Sequence, residues 1–126
     1  LPAVGQGAVA VEIRTDDNEV AALAATLDHH LTRTCVTAER SFLRRLEGGC
    51  QVPIGAIAIV AGENISLEGM VGSLDGAIVF RDSITGHAGD ADELGIKLAE
   101  LLISKGADEL LREDRRQAET TDEAVI

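Results

Sequence analysis

Three short apolar runs in the middle of the chain predict neighbouring strands of one sheet. They cover residues 55–61, 65–72 and 77–85. Two turn-forming stretches, residues 62–64 and 73–76, separate them, and the second carries an Asp-Gly pair. Asp-Gly between apolar runs is a signal of a tight hairpin connection. We therefore expect a three-stranded antiparallel meander.

Apolar residues spaced three and four apart on both sides of this meander predict helices. The first helix is expected from Asn18 to about His30, with Asp16 or Asp17 as its cap, and the second from Thr32 or Thr34 to Leu46. The third is expected over residues 90–104 with Asp90 as its cap, followed by helical turns over residues 107–115. A small sheet alone buries too little apolar surface to be stable. The predicted fold is therefore α+β, a three-stranded antiparallel sheet covered on one face by helices.

Residues 8–13 form a further strand-like run that does not belong to the meander. They are small and β-branched, with glycines before them and Asp16 and Asp17 after them. Because the run is apolar at consecutive positions, it is typical of a strand buried on both faces of a larger sheet. The chain also begins at Leu1, and its single methionine is Met70. We expect the chain to be part of a longer protein that supplies this larger sheet.

Charge and composition exclude several classes of function. The net charge is −11, and it is uneven: residues 1–55 hold five basic and seven acidic side chains, whereas residues 56–126 hold six and fifteen. An acidic surface with two Phe and no Trp or Tyr is unsuited to nucleic acid. No apolar run is long enough to cross a membrane, and no export signal is visible. Two cysteines fit a reducing cytoplasm.

Cys50 lies in the stretch that is the best candidate for a reactive or binding site. The predicted second helix ends at Gly48 and Gly49, and a predicted strand begins just after Pro53. This arrangement presents the Cys50 thiol on a loop. The negative end of the helix dipole disfavours the thiolate of Cys50. Three nearby arginines favour the thiolate and could also bind an anionic ligand; these are Arg40, Arg44 and Arg45. From these residues alone, an inert and half-buried thiol remains the alternative.

Two motifs identify a resemblance that covers the chain up to about Leu111. They are the segment Pro2-Ala3-Val4-Gly5-Gln6-Gly7-Ala8 and the run from Thr37 through Leu46-Glu47-Gly48-Gly49-Cys50-Gln51-Val52-Pro53-Ile54-Gly55. The chain resembles the last two fifths of porphobilinogen deaminase, also called hydroxymethylbilane synthase. This resemblance implies a transferase of heme and tetrapyrrole biosynthesis, which joins four porphobilinogen molecules into hydroxymethylbilane and releases ammonia.

The resemblance also implies the roles of individual residues. Cys50 matches the position that carries a dipyrromethane cofactor through a thioether bond. Arg14 and Arg40 match cofactor-binding positions that pair with pyrrole carboxylates. Gly7 and Gly49, which belong to the two matching motifs, are also expected to bind the cofactor. The family's acid/base aspartate lies in the N-terminal part, so no catalytic residue and no metal site is expected here. The chain alone is accordingly expected to be inactive.

Three regions and a set of partners follow from the same resemblance. Residues 1–28 are expected to form a hinge with a strand and helix that cross back to the N-terminal domain. Residues 29–115 form the C-terminal cofactor-attachment domain, and residues 116–126 a disordered tail. The partners are porphobilinogen, the growing oligopyrrole chain and the missing N-terminal domains, with no nucleic acid and no membrane. The parent is expected to be a cytoplasmic monomer, and its exposed strand favours self-association of the isolated chain.

Two alternatives remain open at this point. One is a small α+β binding or regulatory module with a redox-active pair, Cys35 and Cys50, in which the start of a helix lowers the pKa of Cys35. The other is a zinc site made from His29, His30 and the two cysteines, whose spacing matches no usual ligand pattern. We favour instead that the two histidines close the first helix, where they interact with its dipole.

Overall fold

The computed structural model of the chain describes residues 1–46 and 52–112. Within these ranges the elements follow in the order α1, α2, β1, β2, β3 and α3. Their bounds are Asn18–Ala25 for α1, His30–Arg45 for α2, Ile54–Ala61 for β1, Asn64–Gly72 for β2, Val79–His87 for β3 and Ala91–Leu102 for α3. The α+β class predicted from the sequence is therefore confirmed.

The three strands form the expected antiparallel meander, in the order β1, β2, β3. In the register of the first pair Ile54 faces Val71, and in that of the second pair Val71 faces Phe80. Side chains alternate between the two faces of a strand. In β2 this alternation buries Ile65, Leu67 and Val71 on one face. On the other face of β1, Ile57 and Ile59 are exposed, so the sheet is covered on one side only.

Helices α2 and α3 cover that face and meet each other closely. The ring of Phe42 from α2 is fully buried and lies directly over Gly69 in β2. Gly95 brings α3 against the backbone of α2 at Ala38, where a side chain would have no room. Leu98 and Leu102 of α3 complete a core with no exposed surface of their own. Small residues at the helix crossing therefore let both helices reach the sheet.

Helix α1 differs from its prediction in length and in packing. It is capped as expected by Asp17, whose carboxylate accepts a hydrogen bond from the N–H of Val20 at 3.0 Å. It ends at Ala25, however, and buries no residue. His29 is the N-cap of α2, and its ring nitrogen accepts a hydrogen bond from the N–H of Thr32. The prediction that His29 and His30 close the first helix is therefore wrong. His30 is the first residue of α2, and the His29 side chain satisfies a free amide of that helix.

The strand predicted over residues 8–13 does not form. These residues lie in no helix or strand, and Val9 is 95% exposed. A strand needs a neighbouring strand to receive its backbone hydrogen bonds. None of the three strands in the described ranges pairs with this run. The apolar pattern of residues 8–13 therefore predicted a strand that the described structure does not contain.

The end of the described chain matches the sequence in part. The predicted stop at Gly106 is correct, since Gly106 has a φ of 120° and interrupts the helical path after α3. Asp90 is the N-cap residue of α3, as predicted, but its side chain makes no capping hydrogen bond. Residues 108–112 are helical. The predictions for residues 113–115 and for the tail, 116–126, lie outside the described residues, and the proposed division into three regions stays a prediction.

Candidate functional site

A cleft opens between the start of the chain, the first half of α2 and strand β1. Its volume is about 560 Å³. Residues 2, 3 and 5–8 form one wall, and the facing wall is mainly apolar. The side chains that line the facing wall are those of Leu31, Thr32, Cys35, Val36, Glu39, Ile57 and Val60. The cleft therefore offers an apolar surface with one carboxylate and one thiol.

Residues 1–8, which we call the strap, are held against α2 and the sheet by two hydrogen bonds and by packing of Val4 on the core. The carbonyl oxygen of Pro2 accepts a hydrogen bond of 3.0 Å from the N–H of Ala56 in β1. The N–H of Gly5 donates a hydrogen bond of 3.0 Å to Oε1 of Glu39 in α2. Gly5 adopts a left-handed conformation with a φ of 69°, which glycine reaches without strain. The strap is thus a turn fixed to both the sheet and the helix.

Cys35 lies on α2 at the edge of this cleft and is half-buried. Burial raises the pKa of its thiol, the nearby Glu39 carboxylate raises it further, and a backbone hydrogen bond at Val60 opposes them. The prediction of a lowered pKa at a helix start is therefore wrong. Because α2 begins at His30, Cys35 stands beyond the first turn, where the dipole has lost its effect. A protonated thiol is a weak nucleophile.

The arginines assigned by resemblance are exposed and form no ion pair with any residue that the structure describes. Arg40 and Arg14 both point to solvent. Most cations of the described chain are instead paired with a carboxylate; the pairs are Arg33 with Asp28, Arg45 with Glu100, Arg81 with Glu68, Lys105 with Asp82 and Arg112 with Asp108. Arg14, Arg40, Arg44 and Lys97 form no such ion pair with the residues that the structure describes. The obvious neighbour, Glu39, faces inward and is used by the strap.

The structure brings only some of the predicted site residues together. Gly7, in the strap, lines the cleft opposite α2, and Arg40 follows the cleft-lining Glu39 along that helix. Arg14 is not part of the cleft wall. Cys50 and Gly49, the other two predicted residues, lie outside the described residues. The nearest described residues on either side, Leu46 and Val52, are buried in the core.

Glu39 is the residue whose role the sequence analysis missed. The helical spacing held a signal of its burial, because Cys35, Ala38, Glu39, Phe42 and Leu46 follow the three-and-four repeat of one face. Four of those positions are apolar or small, so the fifth is expected to be buried as well. A carboxylate on that stripe needs a hydrogen-bond donor from elsewhere in the chain.

Comparison with known proteins gives one consistent result. A family model described as "Porphobilinogen deaminase, C-terminal domain" matches residues 33–104. Relatives named porphobilinogen deaminase are 50% identical over 117 residues in Pelotomaculum thermopropionicum and 53% identical over 120 residues in Brevibacillus brevis. These matches cover 93% and 94% of this chain, which spans 38% of the length of each relative. No helix in the described part of the chain is long and apolar enough to cross a membrane.

Proposed function

Because the chain belongs to the porphobilinogen deaminase family, we propose that it serves as the C-terminal part of an enzyme of that name. In this proposal the complete enzyme joins four porphobilinogen molecules into a linear tetrapyrrole of the heme pathway and releases ammonia. The observation that carries the proposal is the match across 93% of the chain at 50% identity. A likeness of that extent leaves little of the chain for an unrelated role.

Within the enzyme, the proposed task of this chain is to hold the dipyrromethane cofactor. Cys50 would form the thioether, a bond that survives repeated additions better than an ester or an imine. When bound, the cofactor supplies the pyrrole carbon to which the first porphobilinogen is joined. The side chains of this portion bind and orient it, and they do not transfer the protons of the reaction. Those protons are assigned to the N-terminal part, so the isolated chain is expected to be inactive.

The charges of the described residues fit an anionic pyrrole. Each ring carries acetate and propionate groups, which need cations that no internal acid has already neutralised. Arg40 and Arg14 meet this requirement, since both are exposed and form no ion pair with the described residues. A planar guanidinium can bind a carboxylate through two parallel hydrogen bonds. Gly7 and Gly49 would let the backbone approach the cofactor closely, because glycine has no side chain.

The remaining features of the proposal concern its setting. The partners would be porphobilinogen, the lengthening oligopyrrole and the N-terminal part of the same enzyme. The parent enzyme would act as a cytoplasmic monomer. The redox alternative based on Cys35 and Cys50 is not favoured, because the raised pKa of Cys35 disfavours the thiolate that disulfide exchange requires.

Substitution of Arg40 in the complete enzyme tests the proposed anion binding. Arg40→Gln removes the charge and the paired donors, and should lower kcat/KM for porphobilinogen by about tenfold to a hundredfold, since a hydrogen bond to a charged group contributes roughly 1.5–3 kcal/mol. Arg33→Gln is the control, because Arg33 lies on the same helix but is paired with Asp28. Equal activity of both variants and the unsubstituted enzyme would contradict the role of Arg40.

A further inference from the structure

We infer that Glu39 is a latch that holds the strap closed beside the Cys35 thiol. Glu39 is 9% exposed, and it is the one charged residue among the buried residues of the described chain. A buried carboxylate is costly unless a donor satisfies it. The N–H of Gly5 is the donor that the structure provides, at 3.0 Å from Oε1. The inference does not rest on the proposed cofactor or on enzyme activity.

This bond is the polar link between the strap and α2, and the partly buried side chain of Val4 adds an apolar contact with the core. Pro2 is already fixed to β1 through Ala56, and the close approach of Leu1 and Pro2 uses the missing side chain of Gly55. Residues 3–8 form a turn that is closed by two local hydrogen bonds. The N–H of Gln6 donates to the carbonyl of Ala3, and the N–H of Ala8 donates to the carbonyl of Gly5. The bond between Gly5 and Glu39 is the hydrogen bond that joins this turn to α2.

Cys35 is the group whose access the strap controls. Cys35 and Glu39 are four residues apart on α2, so their side chains share one face of the helix. Both line the cleft, and the strap forms its opposite wall. Release of the latch would let residues 3–8 swing away from α2 and open the thiol to solvent. It would also free Gly7 to move relative to Arg40, the residue that follows Glu39.

The test measures two readouts on the 126-residue chain. The first is hydrogen exchange at the Gly5 amide, followed by NMR. The second is the rate at which iodoacetamide alkylates Cys35 at neutral pH, read from the mass of tryptic peptides. Trypsin separates the two cysteines, because Arg40, Arg44 and Arg45 lie between Cys35 and Cys50. Cys50 therefore does not interfere with the readout.

Three substitutions distinguish a latch from a simple effect of charge. Glu39→Ala removes both the acceptor and the negative charge next to Cys35. Glu39→Gln removes the charge but keeps an oxygen that can accept from Gly5. Glu109→Ala is the control, since Glu109 is an exposed glutamate in a helical turn. If the latch exists, Glu39→Ala should raise the alkylation rate of Cys35 and the exchange rate of Gly5 by roughly tenfold. Glu39→Gln should leave Gly5 exchange within about twofold and should speed alkylation less than Glu39→Ala does, because it removes only the charge that raises the pKa of Cys35. Glu109→Ala should leave both rates within about twofold.

Two results would overturn the inference. In one, the Gly5 amide of the unsubstituted chain exchanges as quickly as in an unstructured peptide. In the other, Glu39→Gln matches Glu39→Ala in both readouts, which would assign the effect to charge. Should Glu39→Ala fail to fold, Gly5→Ala replaces it, because a methyl group there meets no atom within 4 Å and disturbs only the left-handed turn. It should raise Cys35 alkylation, and an unchanged rate would contradict the latch.

Discussion

Residues 1–29 and the described residues after them, 30–46 and 52–112, both carry apolar side chains but bury them to very different extents. In α1, Leu23 is 69% exposed, and Leu27, just beyond it, is 72% exposed. In α2 and α3, Phe42, Leu98 and Leu102 are completely buried. The difference lies in the partner surface, since α2 and α3 pack on the sheet and on each other whereas α1 buries no residue. An apolar stripe stabilises a helix only when another element covers it.

A matched pair of leucine truncations should give the largest difference between the two regions. Leu98→Ala deletes a fully buried side chain and should lower the free energy of unfolding by about 2–5 kcal/mol. Leu23→Ala makes the same chemical change at an exposed position and should stay within about 0.5 kcal/mol. Urea denaturation followed by circular dichroism measures both. Equal losses of unfolding free energy in the two variants would contradict the difference in packing between the two regions.

Gly95→Ala should have the next largest effect, because it acts on the contact between α2 and α3. A methyl group at Gly95 would collide with the carbonyl of Ala38 and with Ser41, and overpacking of this kind costs about 1–3 kcal/mol. Glycine to alanine within a helix otherwise stabilises it by roughly 0.5–1 kcal/mol. The sign of the change in urea denaturation is therefore diagnostic. A more stable variant would show that the two helices are not in close contact.

The smallest effect concerns the exposed turn between β2 and β3, and it depends on pH. Asp75 accepts hydrogen bonds from Ser73 Oγ and from the N–H of Ala77, and these bonds lower its pKa below the ordinary value of 3.8. A lowered pKa in the folded state adds stability above pH 3.8, and this contribution is lost as the pH falls through the folded-state value. The charge of Asp75 therefore stabilises the folded state at neutral pH and not in strong acid.

Asp75→Asn isolates that charge, because the amide keeps an acceptor oxygen and does not titrate. Its melting temperature should be slightly lower than that of the unsubstituted chain at neutral pH, and the gap should close in acid below the folded-state pKa. Thermal scans across this range measure the gap. A gap that is constant with pH would assign the effect to geometry and would exclude the turn charge as a source of stability.

The same contrast explains which parts of the fold could be predicted from the sequence. The meander was predictable, because the Asp75-Gly76 pair and the alternation in β2 are local signals. Residues 8–13 carry an equally clear strand pattern, but a strand also requires a neighbour, and no local pattern reports whether one is present. The start of α2 was misplaced for a related reason. The cap by His29 depends on a ring nitrogen that meets the N–H of Thr32, and histidine is not among the usual capping residues.

The residues of the candidate site also fall into those that the sequence identified and those that only the structure identified. Arg14, Arg40 and Cys50 were assigned by resemblance to a family. The two arginines are exposed and form no ion pair with the described residues, which agrees with their proposed role. The bond between Glu39 and Gly5 joins residues 34 positions apart, and no local pattern predicts such a contact. The buried stripe of α2 shows that Glu39 needs a donor, and only the three-dimensional structure identifies Gly5.

The most direct test of the proposed function is the mass of the peptide that carries Cys50, taken from the active, complete enzyme. Tryptic cleavage after Arg45 gives a peptide that contains Cys50 and no other cysteine. The account predicts that this peptide carries the additional mass of a dipyrromethane and cannot be alkylated, whereas the peptide of Cys35 reacts as a free thiol. An unmodified Cys50 in active enzyme would contradict the proposed attachment site.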